Sequence, residues 1–322
     1  MGTTLLLCAA NIAAAPLRRA VPPQVWTGLH RLVWADGHCA VDLGALTDAS
    51  EILPCLSVRS VARWGYQCAL EYETANGHSG RTALDPVGAF AAAEANDSTE
   101  AVAAAIDVLH LREPLQKAVL HLRVQGIDVL APVLLSISIR DHGVAPSPVA
   151  TGPGVTIAVP PRSQMGLRAD IASRACSPTS VAMLLDHYGH SADIYELISA
   201  AHHQHSGLYG VWPANIHAAN RCGLMGYLLH FPNWDAARAL LDAGLPIVAS
   251  VRYEEGELRN AAIPRTSGHL LVLRGYEGDK VLVNDPAAKT DSEVKRTYDL
   301  KEYCRIWLQG SAVGYVLYDQ TT

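Results

Sequence analysis

The 322-residue sequence predicts an α+β protein in three segments: a β-rich, sandwich-like domain at 1–145, a linker at 146–155, and a second domain at 156–322 with helices followed by an antiparallel sheet. Three observations lead there. Short β-rich runs separated by Gly, Asp and Pro clusters fill the first segment. A Pro/Gly-rich stretch, His142-Gly143-Val144-Ala145-Pro146-Ser147-Pro148 to Gly152-Pro153-Gly154, then reads as a linker. Beyond it the apolar residues take up a helical period before returning to strand patterns.

In the first domain, Met1 to Ile12 carries an apolar run but no basic residue before Arg18, so it reads as a buried first strand rather than a secretory signal. This favours a cytoplasmic protein, although a leader upstream of the given sequence would make it secreted. Further strands are expected at 25–34, 57–66, 68–72, 119–124 and 133–139. Helices are expected only at 86–93 and 101–105. No internal repeat is evident.

In the second domain a strand is expected at 156–159. A helix follows from the stretch Ala175-Cys176-Ser177-Pro178-Thr179-Ser180, because Val181, Leu184, Leu185 and Tyr188 stand at i, i+3, i+4 and i+7. Ser177 is the expected cap, Pro178 suits the first turn, and Gly189 is the expected stop. Helices are further expected at 193–201, 213–221, 234–243 and 300–307. Strands are expected at 246–253, 270–275, 280–284, 295–298 and 312–318.

Composition narrows the function. With 49% hydrophobic and 17% charged residues, the chain is an ordinary globular one. A net charge of -6, a pI near 6.1 and no Lys/Arg cluster argue against a nucleic-acid partner. No segment approaches the length of a membrane-spanning helix, so no membrane partner is expected. The seven cysteines (Cys8, Cys39, Cys55, Cys68, Cys176, Cys222 and Cys304) are odd in number and have no C-x-x-C spacing. Neither a zinc site nor a disulfide framework is indicated, with pairing among Cys39, Cys55 and Cys68 left open for an exported protein.

The chemistry centres on Cys176. At a helix N-terminus a thiolate is favoured by the partial positive charge and the free backbone N–H groups. Downstream, Ser267-Gly268-His269 opens a strand, a Glu277-Gly278-Asp279 turn follows, and Asn284-Asp285-Pro286 closes the next strand. That hairpin folds His269 and Asp285 back to one end of a sheet. A cysteine before a helix, with a histidine and a carboxylate on later adjacent strands, is the order of a papain-like thiol hydrolase.

The residues themselves carry a resemblance. Cys-Ser-Pro-Thr-Ser at 176–180, Gly-His-Leu at 268–270 and Asn-Asp-Pro at 284–286 are similar to motifs of the C39-like cysteine peptidase family, which has a papain-like fold. Ser163-Gln164, Trp212-Pro213-Ala214-Asn215, Ala243-Gly244-Leu245-Pro246-Ile247 and Val313-Gly314-Tyr315-Val316 extend the likeness to about 158–319. The resemblance implies Cys176 as nucleophile, His269 as general base and acid, Asp285 as the group orienting the imidazole, and Gln164 as an oxyanion-hole donor. Asn284 is a second candidate orienter, since papain-like sites also use asparagine. Ala-Cys-Ser-Pro replaces the Cys-Gly-Ser-Cys-Trp of papain proper, so papain subsites do not transfer. Residues 109–114, 122–124 and the Pro132 strand resemble a β-rich domain preceding the peptidase in some members.

Other residues stay open between two readings. Trp212 is a core aromatic or a substrate platform beside Cys176. Tyr253, in the Arg252–Asn260 stretch, lines a specificity rim or a plain surface loop. His202, His203 and His205 read as a solvated loop, because adjacent histidines on a helix end do not face one another.

The expected activity is hydrolysis of a peptide or amide through a Cys-His-Asp triad and a thioester. Two alternatives are an amide-forming transacylase or cyclase, in which an amine acceptor resolves the acyl-enzyme, and a catalytically inactive papain-like binding protein. No metal or organic cofactor is implied.

Overall fold

The computed structural model describes residues 3–8, 14–60, 62–91, 93–128, 131–141 and 153–320. The first part runs β1 (Thr3–Cys8), α1 (Ala14–Arg19), β2 (His30–Arg31), β3 (His38–Leu46), β4 (Ala49–Val58), β5 (Gly65–Thr74), β6 (Ser79–Ala83), β7 (Val87–Gly88), β8 (Val102–Ala105), β9 (Val108–Leu111), β10 (Leu115–Gln125) and β11 (Val133–Asp141). These strands form two sheets, ordered β2-β1-β11-β4-β9-β8 and β3-β10-β5-β6, with β7 beside β5. Ile52, Leu56, Leu135 and Ile137 of the first sheet share a hydrophobic cluster with Leu70, Leu120 and Leu122 of the second.

The second part runs β12 (Val155–Thr156), α2 (Ala169–Ala172), α3 (Cys176–His187), α4 (Ile194–Ala201), α5 (Trp212–Arg221), β13 (Met225–His230), α6 (Trp234–Asp242), β14 (Ile247–Tyr253), β15 (Thr266–Glu277), β16 (Lys280–Asn284), β17 (Lys295–Asp299), α7 (Leu300–Leu308) and β18 (Val313–Tyr318). Its sheet has the order β13-β18-β14-β15-β16-β17, with β12 beside β15. The close approach of β12 requires Gly275, where a Cβ would lie 2.1 Å from the Val155 carbonyl oxygen.

Several expectations need correction in the first part. Residues 86–93 contain β7 and no helix among those described, and 101–105 hold β8. The alanines there pair across the β8–β9 hairpin, Ala103 with His110 and Ala104 with Leu109, so tertiary pairing overrides their helical propensity. The expected strand at 57–66 is divided, because β4 ends at Val58 and β5 starts at Gly65. Between 25 and 34 only His30–Arg31 is a strand, and Pro23–Val25 form a single 3₁₀ turn. Most of the expected linker, together with residues 9–12 of the expected first strand, lies outside the described residues.

The hydrophobic core crosses the expected boundary. Leu6, Leu53, Cys55 and Leu134 cluster with Ile216, Met225, Tyr227 and Leu229 from the second part. A row of hydroxyls accompanies them. Strand β13 is an edge of its sheet, and an uncovered edge exposes unpaired N–H groups. Here the N–H of Gly226 donates to Ser57 Oγ at 3.0 Å, that of Leu228 to Ser136 Oγ at 3.4 Å, and that of His230 to Ser138 Oγ at 2.9 Å. Asn220 Nδ2 also donates to Ser57 Oγ, and its Oδ1 accepts from the N–H of Val58. Serines that alternate with apolar residues along β11 therefore cap a neighbouring sheet instead of facing water.

Helix α3 begins at Cys176, with Ala175 as its cap, so Ser177 is not the cap. Its hydroxyl is buried and bonded to the Tyr315 hydroxyl at 2.9 Å. The C-terminal expectation holds. Gly189 has φ +76°, its N–H donates to Asp186 O, and the N–H of His190 donates to Leu185 O, a Schellman motif.

Candidate active site

Helix α3 delivers Cys176 as its first residue, and its apolar face packs with β15 into the common core. His269 lies on β15, opposite Val251 of β14, and is 3% exposed. Asp285 directly follows β16, the strand paired with β15, and is 0% exposed. The hairpin thus brings together a histidine and a carboxylate 16 residues apart.

His269 Nε2 and Asp285 Oδ1 are 2.8 Å apart. That leaves Nδ1 for the Cys176 thiol, to which His269 is also hydrogen-bonded. Asp285 is held from several sides. Its Oδ1 accepts from the Ala287 N–H at 3.0 Å, its Oδ2 accepts from the Tyr298 hydroxyl at 2.8 Å, and its own N–H donates to Val294 O.

Competing effects set the charge states. Burial pushes the Cys176 thiol up, but the hydrogen bond and positive charge of His269, with the N–H groups of Leu270 and Ser177, bring it below its ordinary value. Burial pulls His269 down, and Asp285 with Cys176 more than offset this, raising it to about 10. Burial likewise pushes Asp285 up, yet the charge and hydrogen bond of His269, with the Tyr298 and Ala287 donors, leave it below the usual carboxylate range. The arrangement favours thiolate, imidazolium and carboxylate together.

Asn284 has a different partner from the one expected. Its Nδ2 donates to Val159 O at 3.1 Å and Pro160 O at 3.3 Å, and contacts Met183 Sδ. It ties the incoming chain to α3 and does not orient His269, because alternation along β16 turns it away from Asp285. Gln164 is buried at 3% exposure. Its Nε2 donates to Ala172 O at 2.7 Å, in the turn before Cys176, and its backbone N–H donates to Pro286 O at 2.8 Å, just past Asp285. A primary amide has two N–H groups, so one remains beyond the Ala172 bond.

Cys176 lines a cleft of about 540 Å³ whose walls include Trp212, Arg252, Ser267 and Gly268. Trp212 therefore faces the cleft, half-buried. Tyr253 does not line it. Its ring is buried and its hydroxyl donates to Ile263 O, because alternation on β14 turns it opposite to Arg252. His202, His203 and His205 border a different hollow of about 870 Å³, away from Cys176. There His203 Nε2 lies 3.1 Å from Pro86 O and its Nδ1 lies 2.8 Å from Ser206 Oγ, so this ring is buried rather than solvated. Among the described residues no group of three or more His, Cys, Asp or Glu is placed to hold a metal ion.

Sequence reasoning missed Tyr298, which reaches Asp285 from β17, and the β8–β9 hairpin tip, which enters the cleft from the first part of the chain. Neither has a local sequence signal.

Residues 156–315 match the model of the Peptidase C39 like family. This segment belongs to the C39-like peptidases. The match starts in β12 and ends in β18, so it contains α3, His269, Asp285 and Gln164. Among solved structures, the peptidase domain of Streptococcus ComA, described as a bi-functional ABC transporter involved in a quorum sensing pathway, is 17% identical, with 46% of this chain and 93% of that one covered and a TM-score of 0.34. Comparison with curated proteins gives no match. The C39-like segment makes the chain cysteine peptidase-like, with peptides as its substrate class. No helix among the described residues is long and apolar enough to cross a membrane. All seven cysteines are free thiols.

Proposed function

We propose that the protein hydrolyses a peptide or amide bond, with Cys176 as nucleophile, His269 as general acid and base, and Asp285 as the group that orients His269. The observation that carries this reading is the continuous hydrogen-bonded chain from the half-buried Cys176 through the buried His269 to the buried Asp285, opening onto a cleft. The Cys176 thiolate attacks the carbonyl carbon, and His269 gives its proton to the departing amine as the C–N bond breaks, leaving a thioester. Water then attacks the thioester carbon and His269 takes its proton. The acid leaves, and Cys176 returns as thiolate beside the imidazolium.

Gln164 supplies one donor of the oxyanion hole, with the Cys176 backbone N–H as the other. Such a donor lowers the barrier by about 2.7–4 kcal/mol. Gln164→Ala is expected to lower kcat by about 10²- to 10³-fold while iodoacetamide alkylation of Cys176 continues at nearly its normal rate. Equal loss of turnover and alkylation would remove Gln164 from that role.

The reading is tested by incubating the protein and its Cys176→Ala variant with a peptide mixture and weighing the products. Free-acid products that need Cys176, with a thioester adduct on its tryptic peptide, are expected. Products joined to an added amine would instead give a transacylase, and no product from either protein would contradict the hydrolase.

A further inference from the structure

One wall of the Cys176 cleft comes from the other part of the chain. Strands β8 and β9 are joined by only two residues, Ile106 and Asp107, and both line the cleft with Cys176. Ile106 has φ +59°, a left-handed conformation that β-branched residues rarely adopt. Such strain persists only where the surroundings hold it, and it recurs at ligand-binding sites.

Asp107 explains part of the hold. Its Oδ2 accepts from the N–H of Trp212, the first residue of α5, at 2.9 Å. A carboxylate at a helix start is ordinarily stabilised as the anion. Burial outweighs that here and brings Asp107 up to about 7, against the lowering effects of the Trp212 and Asp107 N–H groups and of His110. His110 is itself engaged with Glu51 at 3.4 Å. The cleft's arginines do not contribute to that balance. Arg174 donates to Gly207 O and lies over the Tyr209 ring, while Arg252 is exposed. A half-desolvated carboxylate without a strong counter-charge is a costly arrangement for the protein alone. A cation arriving in the cleft would supply the missing charge.

We propose that the Ile106-Asp107 tip is a substrate-recognition element, in which the Asp107 carboxylate receives the lysine or arginine side chain of a peptide bound beside Cys176. The proposal rests on the cysteine-peptidase reading and names its substrate class as basic peptides. It also gives the β-rich segment a function, since without this hairpin the cleft lacks a wall.

The test uses binding, which does not require turnover. Peptides in which a single lysine is walked through an otherwise neutral sequence, with norleucine as the uncharged counterpart, are titrated into the full-length Cys176→Ala protein with and without Asp107→Asn. Asparagine keeps an oxygen for the Trp212 N–H, so the hairpin stays anchored, and an unchanged Tm checks this. At one position lysine is expected to bind about 10- to 100-fold more tightly than norleucine. Asp107→Asn should remove that preference and leave the norleucine peptide unaffected. A lysine preference at no position, a preference that survives Asp107→Asn, or equal loss for both peptides would overturn the proposal. Failure of the peptidase reading shows separately, as an ordinary alkylation profile at Cys176.

Discussion

His269→Ala is expected to reduce kcat on any cleaved peptide by on the order of 10⁴-fold. Two losses combine. Without the imidazolium, burial is the largest remaining influence on Cys176 and drives its thiol upward, so little thiolate is present near neutral pH. The departing amine also loses its proton donor. Removing the ring leaves the fully buried Asp285 carboxylate without its charged partner, which typically costs about 3–5 kcal/mol of stability. His269→Gln separates the two effects, because its amide still donates to Asp285 but cannot exchange a proton. Both variants should be inactive by steady-state assay, and His269→Gln should keep a Tm closer to that of the parent protein. Substantial turnover by His269→Gln would exclude His269 as the acid and base.

Asp285→Ala is expected to lower kcat by about 10²- to 10³-fold and to narrow the pH profile from the alkaline side. The sign follows from the charge states. The active ion pair forms as pH rises through the lowered thiol value of Cys176 and is lost as His269 gives up its proton near pH 10. Asp285 is the largest influence holding His269 up, so removing it lets burial pull the alkaline limit down toward neutrality. Profiles of kcat/KM from pH 5 to 10.5 on parent and variant measure this. An alkaline limit that does not move would mean Asp285 does not set the charge of His269.

The parts of the site that can be read from sequence are those carried by local patterns. The spacing of Val181, Leu184, Leu185 and Tyr188 marks α3, and the Glu277-Gly278-Asp279 turn marks the hairpin that brings His269 to Asp285. Most elements between 156 and 322 accordingly start and stop close to expectation; the exceptions are the unpredicted α2 and β13, the strand expected at 156–159, of which only Thr156 lies in β12, and the upstream extension of β15 to Thr266. The unread parts depend on segments far apart in the chain. Asp107 meets Trp212 from 105 residues away, and Ser138 meets His230 from 92. An alternating serine has the same local pattern whether it faces water or another strand's N–H group. Ser177 shows a related limit, because a hydroxyl near a helix start suits a cap locally, while Tyr315, 138 residues later, takes it instead. The alanines of β8 read as helical until β9 is there to pair with them.

The measurement that bears most directly on the central claim is the pH dependence of iodoacetamide alkylation at Cys176, followed by peptide mass against the other six cysteines, in the parent protein and in His269→Gln. A half-buried thiol held as thiolate by His269 should be labelled selectively well below pH 7, and the selectivity should vanish in the variant. Labelling that rises in both proteins as for an ordinary thiol, with a midpoint near pH 8.5, would contradict the thiolate–imidazolium pair and with it the peptidase mechanism.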